Sequence, residues 1–341
     1  MFASKERTSE KELRRQVDAA LEERDAAILE RDMAMAERDK AAAERDKAVA
    51  ERDAVANEAK LSTKWMLAPR SRLPSVEIVP DNVLRRSRAT SLNRLCNLRD
   101  WEPAGMLSPY FREMREDVTI HRKPWEYSIC MHGLQQLGCV TQDALAISVG
   151  AGYEKPLFYY ANHIKKMVAT DLYDNPGAEG QPGMLTATSA YAPFPYREDH
   201  LEVLQMSGTD LKFPDETFDF AFTLSSIEHF DFGNRHAVRS AFNEIIRVVK
   251  PGGKICIITE LILNGARHRE CFTPTEIEEI FLSHKQASVV GGEFDLRIQK
   301  SLMDYPVTMQ DGEYTNISPH IVIDAGGPII TSLSMFFERL D

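Results

Sequence analysis

The spacing of apolar positions changes character along this chain. The triplet Glu-Arg-Asp begins at residues 23, 30, 37, 44 and 51, a seven-residue period that sets Ala26, Leu29, Met33, Ala36, Ala43 and Ala50 on one stripe. Residues 1–60 contain neither glycine nor proline and are rich in strong helix formers, so a continuous helix over 9–60, about 75 Å long, is predicted. Lys40 and Lys47 fall on the same stripe, and alanine buries little area, so the seam is a weak one. A homo-oligomer through residues 9–60 therefore stands beside a solitary charged helix supported by neighbour pairs such as Glu37–Lys40 and Glu44–Lys47.

A connecting region, 61–119, is punctuated by Pro69, Pro74, Pro80, Pro103 and Pro109, with short helices expected near 81–99 and 108–116. Trp125, Ile129, Met131, Leu134 and Leu137 then suit a helix packed on a sheet edge. After residue 140, short buried runs alternate with helical spacing. Strands are predicted at 144–149, 167–171, 201–206, 218–224, 254–260, 286–291 and 319–324, and helices at 155–165, 235–249 and 274–283. Pro156 suits the first turn of its helix, where its missing N–H costs nothing. The alternation predicts an α/β domain over 120–341. Residues 172–200, rich in Gly, Pro and Tyr, replace a crossover helix and are the candidate substrate lid.

Within this frame, Ser148-Val149-Gly150-Ala151-Gly152 breaks a buried strand into Gly-x-Gly before a helix, and Asp171 follows at the end of the next strand. Glycines allow a ligand to approach the backbone, and a carboxylate about 20 residues on suits a ribose diol; an alternative is that Asp171 only caps a strand end. Downstream come Asp210-Leu211-Lys212-Phe213-Pro214, Phe218-Asp219, and Arg247-Val248-Val249-Lys250-Pro251-Gly252-Gly253. On these residues the chain resembles the class I S-adenosylmethionine-dependent methyltransferases over roughly 120–341. The resemblance implies a Rossmann-like fold with a mostly parallel seven-stranded sheet, here preceded by a long N-terminal helix, and S-adenosyl-L-methionine as cofactor. It departs from the family at Ser148, where an acid is usual, at Glu154, where a nicotinamide enzyme keeps its third glycine, and at Ser207, which aligns with the acid near the adenine amino group.

By the resemblance, Gly150, Ala151 and Gly152 lie along the methionine and ribose, Asp171 and Leu172 at the ribose, and Ser207, Gly208, Thr209 and Asp210 beside adenine. Glu154 either offsets the ligand's amino group or simply favours a helix N-terminus. Ser225, Glu228 and His229 end the fourth core strand, the edge at which open α/β sheets bind ligands. His229 is a candidate general base because imidazole titrates near neutrality, or else it caps the strand. Glu260 is a second candidate base, or orients an acceptor hydroxyl with Asn264. The histidines show no His-x-x-x-His spacing, so no metal site is expected.

Composition narrows the partners. The net charge is −11, and residues 141–341 carry 16 basic against 28 acidic side chains, which disfavours a nucleic-acid substrate. The basic stretch 70–99 is either a solvated face or a peripheral contact for an anionic lipid or partner. Five cysteines without a Cys-x-x-Cys pair argue against a disulfide framework or a zinc site. With no apolar leader and no membrane span, the cytoplasm is the expected compartment. The expected activity is methyl transfer to a hydroxyl of a small molecule or glycan. The alternative is a coiled-coil scaffold carrying an inactive methyltransferase-like domain.

Overall fold

The computed structural model describes residues 72–341 except 88, 90, 102–106, 116–119, 175–181 and 309–318. The heptad helix expected over 9–60 lies outside the described residues. Twelve strands run in chain order among them: β1 Glu77–Val79, β2 Arg94–Leu95, β3 Leu145–Val149, β4 Lys166–Asp171, β5 Leu201–Gln205, β6 Phe218–Leu224, β7 Val249–Ile262, β8 Ala287–Val289, β9 Arg297–Gln299, β10 Val307–Thr308, β11 Ile323–Asp324 and β12 Ile329–Arg339.

The main sheet runs β10-β11-β12-β7-β6-β3-β4-β5. The five strands β5, β4, β3, β6 and β7 are mutually parallel, and β12 joins β7 antiparallel. The outer edge of β12 is shared by β11, β2 and β8, all antiparallel to it. This is the expected Rossmann-like fold, in which β5, β4, β3, β6, β7, β12 and β8 supply the seven strands and β2, β10 and β11 extend them. Chain order reverses between β3 and β6, and that reversal opens a crevice at the carboxyl ends of the two strands.

Local chemistry explains the frame. Strands β3, β6 and β7 are buried on both faces, as apolar runs in a covered parallel sheet must be. The helix Arg235–Val248 buries Val238, Ala241, Phe242, Ile245 and Val248 and begins at Asn234, whose side chain accepts the His236 N–H. In its last turn Arg247 holds the 211–215 turn through the carbonyls of Leu211 and Phe213 and the Asp215 carboxylate. Asp219 accepts the Leu145 N–H at 2.8 Å and pairs with Lys250 at 2.6 Å, tying β3, β6 and the Lys-Pro-Gly-Gly turn together.

Several elements differ from expectation. Lys-Pro-Gly-Gly does stop the helix, but β7 starts at once and bulges: Val249 pairs with Phe218 and the ladder resumes at Lys254 opposite Phe220. The helix expected over 81–99 covers only Asp81–Arg86, because Arg94–Leu95 pairs with β12 instead. The expected late strand at 319–324 is reduced to β11, and the long strand after it, β12, has no forecast in the sequence. Thr331, Ser332 and Ser334 interrupt its apolar run, yet all three are buried because partners from Ile321, Glu126 and Leu92 meet their hydroxyls.

The helix expected at Trp125–Leu137 is Arg122–Gln136, and it packs on the face of β12 and β7 rather than on the sheet edge. A Cβ at Gly133 would come 2.2 Å from Phe336 Cζ, so glycine there is what lets the helix lie close to β12. Trp125 donates to Asp100 at 2.7 Å, and Asp100 pairs with buried Arg94 at 2.6 Å. Arg99 pairs with Asp295 at 2.6 Å. Arg94 and Arg99 are thus turned inward, away from any anionic surface. Leu73, Leu95, Cys96, Leu107 and Phe111, from the region expected to connect, share one core with β3, β6 and β7.

Candidate functional site

The carboxyl end of β3 turns sharply because Gly150 and Gly152 both adopt left-handed backbone (φ +73° and +47°). The Thr170 carbonyl accepts the Gly150 and Ala151 N–H groups at 2.8 and 3.0 Å, fastening the turn to β4. Asp171 ends β4 with its carboxylate held on both sides. Gly152 N–H donates to Oδ2 at 3.0 Å and Tyr173 N–H to Oδ1 at 3.1 Å. Tyr173, itself left-handed at φ +48°, donates its hydroxyl to the Gly152 carbonyl at 3.1 Å and closes the clamp.

Around this clamp, Leu172 is 51 % exposed and offers an apolar surface beside Asp171. Glu154 is buried at the start of the helix Lys155–His163. Ser207 and Thr209 bond to one another at 2.9 Å, while Asp210 is exposed and pairs with Lys212. Gly208 lies against the Phe230 ring, and a Cβ there would meet Phe230 Cε2 at 2.4 Å and Val149 Cγ1 at 2.7 Å. Residues 182–200 of the candidate lid reach the glycine turn through Tyr191, whose ring is 5.7 Å from that of Tyr153. It is pinned by Arg197, which donates to the Ala161 and Ile164 carbonyls. Ser189, Ala192, Phe194, Pro195, Tyr196 and Glu198 line a cavity of about 420 Å³ in it.

The end of β6 supplies the facing wall. Ser225 is left-handed (φ +47°) and donates its N–H to the Ile258 carbonyl at 2.8 Å, while its buried hydroxyl has no hydrogen-bond partner among the described residues. A Cβ at Gly150 would sit 2.1 Å from Ser226 Oγ, so the β3 and β6 turns are in direct contact. Glu228 and His229 follow in the 3₁₀ turn Ile227–His229, and Glu260 projects from β7.

Here the sequence-predicted residues meet charges that the sequence did not single out. Arg122 bonds Glu260 Oε1 and lies 3.1 Å from Glu126 Oε1; Lys123 pairs with Glu126 at 3.2 Å; and Ser332 donates to Glu126 at 2.5 Å. Burial and the neighbouring Glu260 carboxylate push Glu228 well above the usual carboxylate range. Burial alone would raise Glu260 as well, but Arg122 and the Glu228 carboxyl outweigh it and hold Glu260 at about 2. His229 is half-exposed, with Nδ1 3.4 Å from Glu270 Oε2. Asn264 does not join Glu260; its side chain is occupied by Gly327, Ala266 and Ile329.

The helix bearing Arg122 starts at His121, whose Nδ1 accepts the Lys123 N–H at 3.1 Å. Its ring stacks on His320, centroids 4.0 Å apart and 6° from parallel. Burial, then the Arg122 charge, lowers His121 to about 4; burial and His121 lower His320 to about 3. Both rings are neutral at pH 7. Of the residues missed by sequence reasoning, only Arg122–Glu126 left a trace, an i,i+4 pair. Glu270 and Ser332 left none.

A glycine turn at a topological switch point, a clamped strand-end carboxylate, and the Lys-Pro-Gly-Gly bulge coincide with a match of residues 147–257 to the methyltransferase domain family model. The matched stretch covers less than half of the chain. It runs from within β3 to within β7 and includes Gly150, Gly152, Asp171 and Glu228, while Glu260 lies just beyond. The search of curated proteins found no match. Among solved structures, the chain is similar to the YcgJ protein from Bacillus subtilis, at 13 % identity over 64 % of this chain and 99 % of that one, TM-score 0.38. It is also similar to a SAM-dependent methyltransferase from Aquifex aeolicus, at 15 % identity over 60 % and 88 %, TM-score 0.35. A third is the [4+2]-cyclase SpnF, at 11 % identity over 78 % and 99 %, TM-score 0.40. Among the described residues, no helix is long and apolar enough to cross a membrane.

Proposed function

We propose that this chain is an S-adenosylmethionine-dependent methyltransferase that acts on a hydroxyl group of a small molecule or glycan. The observation that carries the reading is the Asp171 clamp. Two backbone N–H groups fix the carboxylate at the end of β4, and each oxygen keeps a further lone pair for a ribose hydroxyl. The surroundings fit such a cofactor: two left-handed glycines leave the turn without side chains, Leu172 is exposed beside the carboxylate, and the buried Ser225 hydroxyl awaits a polar partner.

The cofactor supplies an electrophilic methyl group on a sulfonium, and the chain's part is to orient it in line with the acceptor. Gly150 and Gly152 hold the backbone close, Asp171 fixes the ribose, and Ser207 to Thr209 border the base. The acceptor approaches the β6–β7 edge, where Glu228, His229 and Glu260 converge. His229 is the exposed member of the three, and Glu270 steadies its ring. The acidic body disfavours polyanionic acceptors, and buried Arg94 and Arg99 remove two charges from the basic stretch expected to meet them.

Calorimetric titration of the whole chain with S-adenosylmethionine tests the reading. Saturable binding that weakens in Asp171→Ala supports it, followed by release of S-adenosylhomocysteine in the presence of a panel of hydroxylated acceptors. No binding would leave the scaffold alternative, in which the domain is inactive.

A further inference from the structure

At the carboxyl ends of β6 and β7, both oxygens of Glu228 and Oε2 of Glu260 are buried, and among the described residues they meet no donor, only each other's carboxyl group. Arg122 engages Oε1 of Glu260 and not Oε2. His229 completes the group, and one ligand-capable atom from each of Glu228, His229 and Glu260 lies within 4.8 Å of the others. Two buried carboxylates cannot face each other as bare anions; something positive must lie between them.

The surrounding charge indicates how much is needed. Arg122 and Lys123 are set against Glu126, Glu228, Glu260 and Glu270, two cations against four carboxylates. With all four ionised, the cluster lacks two positive charges. A single proton meets half of that deficit, and one divalent ion meets it in full.

We propose that Glu228, His229 and Glu260 form a binding site for a divalent cation. Two carboxylates and one imidazole suit an ion such as Mn²⁺, which takes oxygen and nitrogen donors together. Glu270, 3.4 Å from His229 Nδ1, is placed as the outer carboxylate that fixes the ring of a ligating histidine. The carboxylates are buried while His229 is half-exposed, so the ion has an entry from solvent on the histidine side. Sequence spacing hides the site, because two ligands come from the turn after β6 and the third from β7. Binding of the ion does not require the methyl-transfer reading, although the site lies where that reading puts the acceptor.

The test uses the full chain freed of metal by chelation and titrated with Mn²⁺ without cofactor, following the loss of the free-ion electron paramagnetic signal. One saturable site per chain is expected, weakened roughly tenfold or more in Glu228→Gln and in His229→Ala. His229 is half-exposed, so its variant carries the test even if Glu228→Gln fails to fold, as circular dichroism will show. No saturable Mn²⁺ site, or one left unchanged by His229→Ala, overturns the proposal in favour of a proton shared between Glu228 and Glu260. A cofactor titration on the same samples separates the two readings. Mn²⁺ binding without cofactor binding sinks only the methyl-transfer reading, and the reverse sinks only the cation site.

Discussion

The two walls of the crevice are built from different materials. The β3–β4 wall relies on backbone: Gly150, Ala151, Gly152 and Tyr173 contribute N–H groups or carbonyls around the Asp171 carboxylate, whose own partners lie no more than 19 residues away in the chain. The β6–β7 wall relies on buried charge, drawn from Arg122, Glu126, Glu228 and Glu260 and braced by Ser332 from the last strand. A wall made of local backbone tolerates the loss of one side chain and loses mainly a ligand contact. A wall made of interlocked charges loses stability, since each group is affordable only while its partner is present.

The largest effect should fall on the charged wall. Arg122→Ala strands Glu260 in the interior, leaves Glu126 with Lys123 as its one cation, and is expected to lower folding stability by about 3–5 kcal/mol, read from urea unfolding. A loss below about 1 kcal/mol would mean that the carboxylates are neutralised without Arg122.

On the backbone wall, Asp171→Ala should leave the fold intact and weaken S-adenosylmethionine binding by roughly 1.5–3 kcal/mol, as measured by calorimetry. Unchanged affinity would take Asp171 off the ribose. Gly150→Ala places a side chain at φ +73° and 2.1 Å from Ser226 Oγ, so a cost of roughly 1–3 kcal/mol is expected. Comparing this variant with and without Ser226→Gly divides the cost between backbone strain and the contact between the walls.

Acid should find the charged side through its histidine stack. His121 and His320 stay neutral in the fold down to about 4 and about 3, while an unfolded histidine takes its proton near 6.5. Below pH 6.5 the unfolded chain binds protons that the folded chain refuses, so these two groups make stability fall as pH drops from 6.5 toward 4. Replacing His320 by Phe should flatten that part of the melting-temperature profile; an unaltered slope would move the acid sensitivity elsewhere. The smallest effect is expected from removing residues 1–60, which should leave cofactor affinity unchanged, because every residue assigned to the crevice lies in the unit that begins at Pro69. A measurable loss would show that the N-terminal segment reaches the site.

Legibility followed the same division. Gly150, Gly152 and Asp171 were readable because a glycine turn and a strand-end carboxylate are local events with fixed spacing, and β3, β4 and β6 were readable from their apolar runs. Glu228, His229 and Glu260 could be placed at the correct sheet edge, since strand ends are legible once the strands are. Arg122, Lys123 and Glu126 could not be brought to that edge from sequence, because a helix shows its polar face without showing what it packs against. Their helix lies over β12 and β7, and β12 was itself missed, with Ser332 and Ser334 resembling solvent-facing positions until their partners are seen.

The sequence by itself therefore determined where the parallel strands fall along the chain, the glycine turn and the carboxylate that follows it, all set by φ preferences, side-chain period and short-range hydrogen bonding. Tertiary structure alone decided which charges share an interior. The insertion of β12 beside β7 brings Ser332 opposite Glu260, and the helix laid across both strands delivers Arg122 and Glu126 to the same place. Burial then makes each charge depend on its neighbours, and that dependence comes from a low-dielectric surrounding that no linear spacing records.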